Sequence, residues 1–122
     1  MTNTQIIKEY DLEERTARFG ENVIGHCKSL PSNIITSPLI NQLVKAATSV
    51  GANYCEADDA ESKKDFKHKI GICKKEARES KHFIRMLVMA INDRELEIKA
   101  KKLWIEAKEL NLIFNSIYRK VR

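Results

Sequence analysis

The stretch that decides the fold is LEIKAKKLWIEAKELNLIFNSIYRKV, which covers residues 96–121. Its apolar residues recur at alternating steps of four and three, the spacing that places side chains on one face of an α-helix. The members of this seam are Leu96, Ala100, Leu103, Ala107, Leu110, Phe114, Ile117 and Val121. The unbroken repeat predicts one long amphipathic helix that packs against other helices.

Three further stretches show the same apolar spacing, and breaks near Pro31, residues 60–62 and residues 92–93 separate the four. Short connections between long amphipathic helices make consecutive neighbours antiparallel. We therefore predict one all-α domain over residues 1–122, an up-and-down antiparallel four-helix bundle. Its predicted parts are an N-terminal arm at residues 1–9 and helices at about residues 11–29, 38–59, 63–91 and 93–121.

Two of the predicted helix starts have a recognisable chemistry. Ser37 can accept a hydrogen bond from a free backbone N–H group, and Pro38 needs no partner at the first helical position. Ser62 followed by Asp65 resembles a capping box, with Asp in place of the usual Glu or Gln. Asn92 or Asp93 is expected to cap the fourth helix.

Some predicted seam positions carry polar side chains, and buried polar groups need hydrogen-bond partners. These positions are Thr16, His26, Asn53 and Ser80. We interpret them as residues that specify the register of the helices.

Composition excludes several classes of protein. The chain of 122 residues is 43% hydrophobic and 32% charged, the balance of a soluble globular protein. Its three cysteines, Cys27, Cys55 and Cys73, are odd in number and widely spaced, which favours free thiols in a reducing, cytoplasmic setting. No apolar run approaches the roughly 20 residues that cross a bilayer, and the first residues do not resemble a signal peptide. We predict no membrane partner.

Catalytic and metal-binding patterns are weak. Glu79 and His82 have the Glu-x-x-His spacing of di-iron bundles, but such a site needs a second copy of the motif and two more inward glutamates. Phosphate-binding glycine loops, nucleophile elbows and zinc-ligand clusters are also missing. We predict a protein that is not an enzyme and that uses no metal or cofactor.

Positive charge concentrates in the third predicted helix. Residues 62–91 contain nine basic and three acidic side chains, a net charge of +6 against +5 for the whole chain. Six of these cations follow helical spacing, interrupted where Gly71 takes the vacant position. They form a basic stripe of Lys64, Lys67, Lys74, Arg78, Lys81 and Arg85.

The basic stripe has two interpretations. Its cations could follow the phosphate backbone of structured RNA or another nucleic acid by shape, since no base-stacking cluster or recognition motif accompanies them. They could instead pair with carboxylates of the same bundle or of another subunit. In the same chain, Glu56 is a candidate partner for Lys63, Lys74 or Lys75.

The fourth predicted helix carries a second apolar set that points away from its seam. Its members Ile98, Ile105 and Leu112 recur every seven residues, and they are supported by Trp104, Ile113 and Tyr118. A bundle covers only one side of a helix, so a second apolar face predicts a homo-oligomer. The alternative is that the N-terminal arm, with Ile6 and Ile7, covers this face.

Three segments resemble one known family. The central segment SVGANYCEADDAESKKDFKHKIGICKKEARESKHFIRML, residues 49–87, looks like the signature of the 23S rRNA intervening-sequence proteins. The flanking segments YDLEERTARF and EAKELNLIFNSI are similar to the family's flanks. The resemblance implies a small helical bundle without an established catalytic reaction, and related bundles suggest a pentamer and binding of RNA or of a protein partner.

These observations predict a noncatalytic, oligomeric four-helix bundle that binds structured RNA or other nucleic acid through the basic stripe. The alternative is a protein-interaction scaffold or accessory subunit that does not contact nucleic acid directly.

Overall fold

Four α-helices account for nearly all of the chain that the computed structural model describes, residues 11–122. They are α1, Leu12–Lys28; α2, Thr36–Asp58; α3, Lys63–Ile91; and α4, Arg94–Lys120. No strand occurs within residues 11–122. The prediction of an all-α chain with four helices is confirmed, whereas the predicted N-terminal arm, with Ile6 and Ile7, lies outside the described residues.

The helices pack in chain order around one core. α1 contacts α2, α2 contacts α3 and α3 contacts α4, while α1 also contacts α4. Fully buried side chains come from every helix, among them Phe19, Leu43, Ile70 and Phe114. The apolar seams that the sequence predicts therefore meet in a common interior.

Local capping explains the boundaries of α3 and α4. The Ser62 hydroxyl accepts a hydrogen bond from the Asp65 backbone N–H at 3.0 Å, which confirms the predicted cap of α3. The Asp93 carboxylate does the same for the Leu96 N–H at 3.0 Å. Asn92 ends α3 in the left-handed region at φ 53°, a conformation that Asn tolerates better than most residues. Two residues thus suffice to connect these long helices.

The predicted start of α2 is wrong in its chemistry. The helix begins at Thr36, before Ser37 and Pro38. The side-chain oxygen of Asn33 accepts hydrogen bonds from the N–H groups of Ile35 and Thr36, both at 2.9 Å. Asn33 stabilises the turn because its short side chain reaches backbone donors two and three residues ahead.

The polar seam residues find their partners on their own helices. Thr16 donates to the Leu12 carbonyl at 2.6 Å, Ser80 to the Glu76 carbonyl at 2.8 Å, and Asn53 to the Ser49 carbonyl at 2.8 Å. Bonds within one helix do not fix its register against a neighbour. The interpretation of these three residues as register determinants is therefore not supported by their contacts.

His26 does not enter the core as the seam predicted. Its neighbour Cys27 is buried instead, and His26 is half-buried. Burial, followed by the positive charge of Lys99, lowers the pKa of His26 from its usual value. The imidazole therefore favours its neutral form.

One polar contact joins the first helix to the last. Arg15 of α1 donates two hydrogen bonds to the carboxylate of Glu106, at 2.7 and 2.8 Å, and a third to Glu109 at 2.8 Å. These bonds, with Glu106 first, raise the pKa of Arg15. A guanidinium group matches carboxylate geometry at two points, so this contact orients α1 on α4 as well as attracting it.

Candidate nucleic-acid interface

Three lysines of the basic stripe lie on the side of α3 that faces α4. Lys67, Lys74 and Lys81 are half-buried, because their side chains lie in the boundary between the two helices. Lys64, Arg78 and Arg85 are exposed. The stripe thus divides into three cations in a groove and three exposed cations. Of the exposed ones, Arg85 lines a cleft with α4 residues and Arg78 lines a cleft with Gln42 of α2.

Within residues 11–122, none of the six stripe cations has a carboxylate within 4.0 Å. The acidic end of α2 uses a different lysine, since Glu56 pairs with Lys69 at 2.9 Å. The hydrogen bond from Lys69 to Glu56 raises the pKa of Lys69. Glu56 therefore pairs with a cation of α3 as expected, but its partner is Lys69 rather than Lys63, Lys74 or Lys75.

Two groove lysines share one aromatic ring. The ammonium nitrogens of Lys67 and Lys74 each lie 4.7 Å from the centre of the Tyr118 ring. An ammonium group over a ring face is attracted by the ring quadrupole, and this attraction leaves N–H donors free for another partner. We call Lys67, Lys74 and Tyr118 the lower cluster.

Gly71 makes room for the lower cluster. A methyl group at Gly71 would lie 3.2 Å from Cε2 of Tyr118, closer than ordinary contacts allow. The gap in the basic stripe is therefore the place where a ring from α4 rests on α3. Its two neighbouring lysines lie one turn before and one turn after it.

Two asparagines of α4 hold this region against α3. Asn111 donates to the Lys74 backbone carbonyl at 2.8 Å. Lys74 in turn donates through its ammonium group to the Asn115 side-chain oxygen at 3.4 Å. Both the backbone and the head group of Lys74 are thus fixed by the neighbouring helix.

A second ring lies further along the same groove. The ammonium nitrogens of Lys81 and Lys108 lie 5.5 and 5.6 Å from the centre of the Trp104 ring. We call these three residues the upper cluster. Beside it is a cleft of about 360 Å³, whose lining includes Arg85 and Lys101. The groove between α3 and α4, from Tyr118 to Trp104, is named the basic groove below.

The second apolar face divides in the structure. Ile98, Ile105 and Leu112 are 50%, 45% and 56% exposed and recur every seven residues on the outside of α4. Trp104 and Ile113, predicted as members of the same surface, are instead partly buried against the core. The outer apolar line therefore has three members, and Trp104 belongs to the basic groove.

The sequence matches the family model for 23S rRNA-intervening sequence proteins over residues 8–115. This chain belongs to that family. The match covers all of α1, α2 and α3 and most of α4. It confirms the resemblance that the three sequence segments indicated. A search of curated proteins gave no match.

A solved structure supports the fold of this family member. It is the crystal structure of a protein of unknown function from the S23 ribosomal protein family of Bacteroides thetaiotaomicron, with a TM-score of 0.76 and 24% sequence identity. The similarity covers 88% of this chain and 98% of that chain. At this identity, the likeness shows the fold alone.

Several groove residues of this family member were missed by sequence reasoning. Lys108 and the two asparagines lie on α4, and no pattern within α4 tells which side of the helix faces α3. One signal was present, because Gly71 interrupts the basic stripe and a glycine inside a helix indicates a close approach by another group. Trp104 and Tyr118 were noted as members of the second apolar face, and the structure places both rings beside lysines of α3.

The three thiols differ in accessibility. Burial raises the pKa of Cys27 to about 11 and that of Cys73 to about 12. The pKa of exposed Cys55 is also raised, by partial desolvation and then by Glu13, whose carboxylate accepts from the thiol at 3.7 Å. All three cysteines are free.

We expect a thiol reagent at pH 8 to modify Cys55 first, because the raised pKa alone leaves Cys27 about 100-fold less thiolate than an ordinary cysteine. Mass spectrometry of the native protein should show one fast adduct, and protein in guanidinium chloride should show three. Equal labelling rates in the native protein would contradict the burial of Cys27 and Cys73.

Residues 11–122 show neither a metal-ligand cluster nor a membrane-spanning helix. No group of three or more His, Cys, Asp or Glu side chains is placed to hold a metal ion. None of the described helices has the length and hydropathy of a membrane span. The prediction that the protein is not an enzyme stays a prediction.

Proposed function

We propose that this family member is a noncatalytic protein that binds structured RNA, or another nucleic acid of similar charge density, in the basic groove. The proposal deepens the sequence-based hypothesis by moving the binding surface from one helix to the boundary of two. Lys67, Lys74 and Lys81 contribute from α3, and Lys108 contributes from α4.

One observation carries the proposal: the stripe cations have no carboxylate partner within the described part of the chain. Bringing several ammonium groups together costs electrostatic free energy, which an anionic ligand relieves. A phosphate backbone supplies regularly spaced anions, and each contact releases condensed counterions. The groove therefore suits backbone recognition rather than reading of base sequence.

We infer that the four helices alternate in direction, as an up-and-down antiparallel bundle. Lys67, near the start of α3, lies over Tyr118, near the end of α4, while the later Lys81 lies over the earlier Trp104. Contacts that run in opposite order along two helices support opposite directions. This arrangement places the basic groove along about half the length of α3.

The test is fluorescence anisotropy with a labelled RNA hairpin and a matched DNA duplex, at about 50 and 200 mM salt. Four phosphate contacts, one for each groove lysine, predict a slope of about −3.6 for log K against log salt concentration, and about a 150-fold weaker affinity at the higher salt. A flat salt dependence, or no binding at 50 mM, would overturn the proposal.

A second candidate function is a protein-interaction scaffold or accessory subunit, and the outer apolar line favours it. Three large apolar side chains in register on one helix suit burial against a second copy of the chain. We propose a homo-oligomer through this line; its subunit number is left to measurement, and a pentamer is suggested only by the family resemblance.

Ile105→Asp tests the oligomer, because a carboxylate in an apolar interface is costly to bury. We expect sedimentation of the variant as a monomer at micromolar concentration, while the wild type sediments as an oligomer. Ile24→Asp on α1 is the matched control, since Ile24 is similarly exposed at 41%. A monomeric wild type would exclude this interface.

We further propose that the protein acts in the cytoplasm without catalysis. Free thiols suit a reducing compartment. Metal analysis of the purified protein tests the proposal that it is noncatalytic. A metal bound in stoichiometric amount would be the contrary result.

A further inference from the structure

We propose that Tyr118 and Trp104 are positioning residues that hold the groove lysines as two separate phosphate-binding clusters, so that tight binding needs a nucleic acid that reaches both. This inference rests on the proposed nucleic-acid function and concerns how the same groove selects its ligand.

Each cluster repeats the same construction. One aromatic side chain from α4 has two ammonium nitrogens near its ring centre, at 4.7 Å for both lysines of the lower cluster and at 5.5 and 5.6 Å in the upper cluster. The rings reduce the freedom of side chains that otherwise sample many rotamers. A ligand that binds an already positioned cation loses less entropy on binding, and affinity rises without a new contact.

The immediate surroundings keep the lower ring in place. Tyr118 rests on Gly71, where the absence of a side chain admits the ring. Lys74 is also restrained by the Asn115 side chain. The ring is half-buried, so packing restrains the aromatic surface that the two cations contact.

The spacing of the clusters sets a length requirement. Fourteen residues of α4 separate Trp104 from Tyr118, about 21 Å along a helix that rises 1.5 Å per residue. Phosphates of one strand of a DNA duplex advance by about 3.4 Å each, so about six base pairs of DNA span both clusters. An A-form RNA stem rises less per base pair and needs slightly more base pairs to span them. A single phosphate group occupies one cluster and gains nothing from the other.

The first experiment compares Tyr118→Leu with Tyr118→Phe, using an RNA hairpin with a stem of about 12 base pairs. Leucine removes the ring quadrupole but leaves every lysine, so we expect about fivefold to tenfold weaker binding with an unchanged salt slope. Phenylalanine retains the ring and should bind within about twofold of wild type. Ile117→Ala, a half-buried change elsewhere on α4, is the control for general loosening of the helix end.

Unaltered affinity in Tyr118→Leu, or an equal loss in Tyr118→Phe, would overturn the positioning role. Trp104→Leu provides the same comparison at the upper cluster if Tyr118→Leu does not fold. The second experiment shortens the stem to about four base pairs, which should weaken binding well beyond the few-fold loss due to fewer binding registers. A short stem offers fewer positions at which the protein can bind. If the affinity per binding position is equal for both stems, the two-cluster arrangement is refuted.

The two levels of the hypothesis fail differently. Suppose that replacing the groove lysines by Glu abolishes binding while both leucine variants bind normally. In that case the groove binds nucleic acid, and the rings do not position its lysines. If the wild type binds no nucleic acid, the proposed function itself fails.

Discussion

The simultaneous replacement Lys67→Glu, Lys74→Glu and Lys81→Glu is expected to weaken nucleic-acid binding by at least about 100-fold at 100 mM salt. Each lost phosphate contact reduces the magnitude of the slope of log K against log salt concentration by about 0.9. Three lost contacts should therefore reduce that magnitude by about 2.7. Three introduced carboxylates also repel the backbone. Anisotropy titrations at several salt concentrations measure both quantities in one series.

A matched variant separates local from overall charge. Lys28, Lys45 and Lys102 are exposed and outside the basic groove, so their joint replacement by Glu changes the net charge equally. We expect this control to lose far less affinity, with a slope close to that of wild type. Equal losses in both variants would mean that the whole surface attracts nucleic acid and the groove has no special role.

The same triple variant distinguishes the two candidate functions. Loss of binding with an unchanged sedimentation coefficient favours a nucleic-acid surface. Dissociation of an oligomer by the triple variant would instead show that the lysines meet carboxylates of another subunit, as the scaffold interpretation predicts.

Phe114→Ala is expected to cause the largest loss of stability, about 3 to 5 kcal/mol. The Phe114 side chain is 0% exposed and its ring centre lies 5.9 Å from that of Tyr54, so truncation leaves a cavity between α4 and α2. Domains of this kind unfold with about 5 to 15 kcal/mol. One substitution therefore removes a large share of the free energy of unfolding. Urea titration followed by circular dichroism measures this loss.

Met89→Ala is the control for this prediction. Met89 is 82% exposed, and surface changes of this kind usually alter stability by no more than about 0.5 kcal/mol. A loss below about 1 kcal/mol for Phe114→Ala would contradict the packing described at this position.

The apolar pattern was sufficient to predict the helices and their buried faces. In α4, the seam positions Ala100, Leu103, Ala107, Leu110 and Phe114 are all buried, because helical spacing alone decides which side chains share a face. Ser62 located the start of α3, since capping depends on neighbouring residues only. Asn33 was overlooked at the start of α2. Its side-chain oxygen accepts hydrogen bonds from two backbone N–H groups that precede Ser37, so Ser37 is not the cap.

Contacts between helices were harder to predict. Glu56 has several lysines within reach in sequence, and the rotation of α3 against α2 selects Lys69. Trp104 was assigned to an outer surface, because the sequence does not reveal how far α3 covers the flank of α4. The basic stripe was correctly located on one side of its helix, but the rings that accompany it belong to another helix and depend on tertiary packing.

The link between Arg15 and Glu106 bears on the order in which the bundle assembles. The two residues are 91 positions apart, whereas only residues 59–62 and 92–93 connect α2 to α3 and α3 to α4. Closing a long loop costs more entropy than closing a short turn, so the later helices can pair before α1 is recruited. We expect α1 to dock last during folding and to detach first in native fluctuations, with backbone amides that exchange hydrogen sooner than those in the middle of α3.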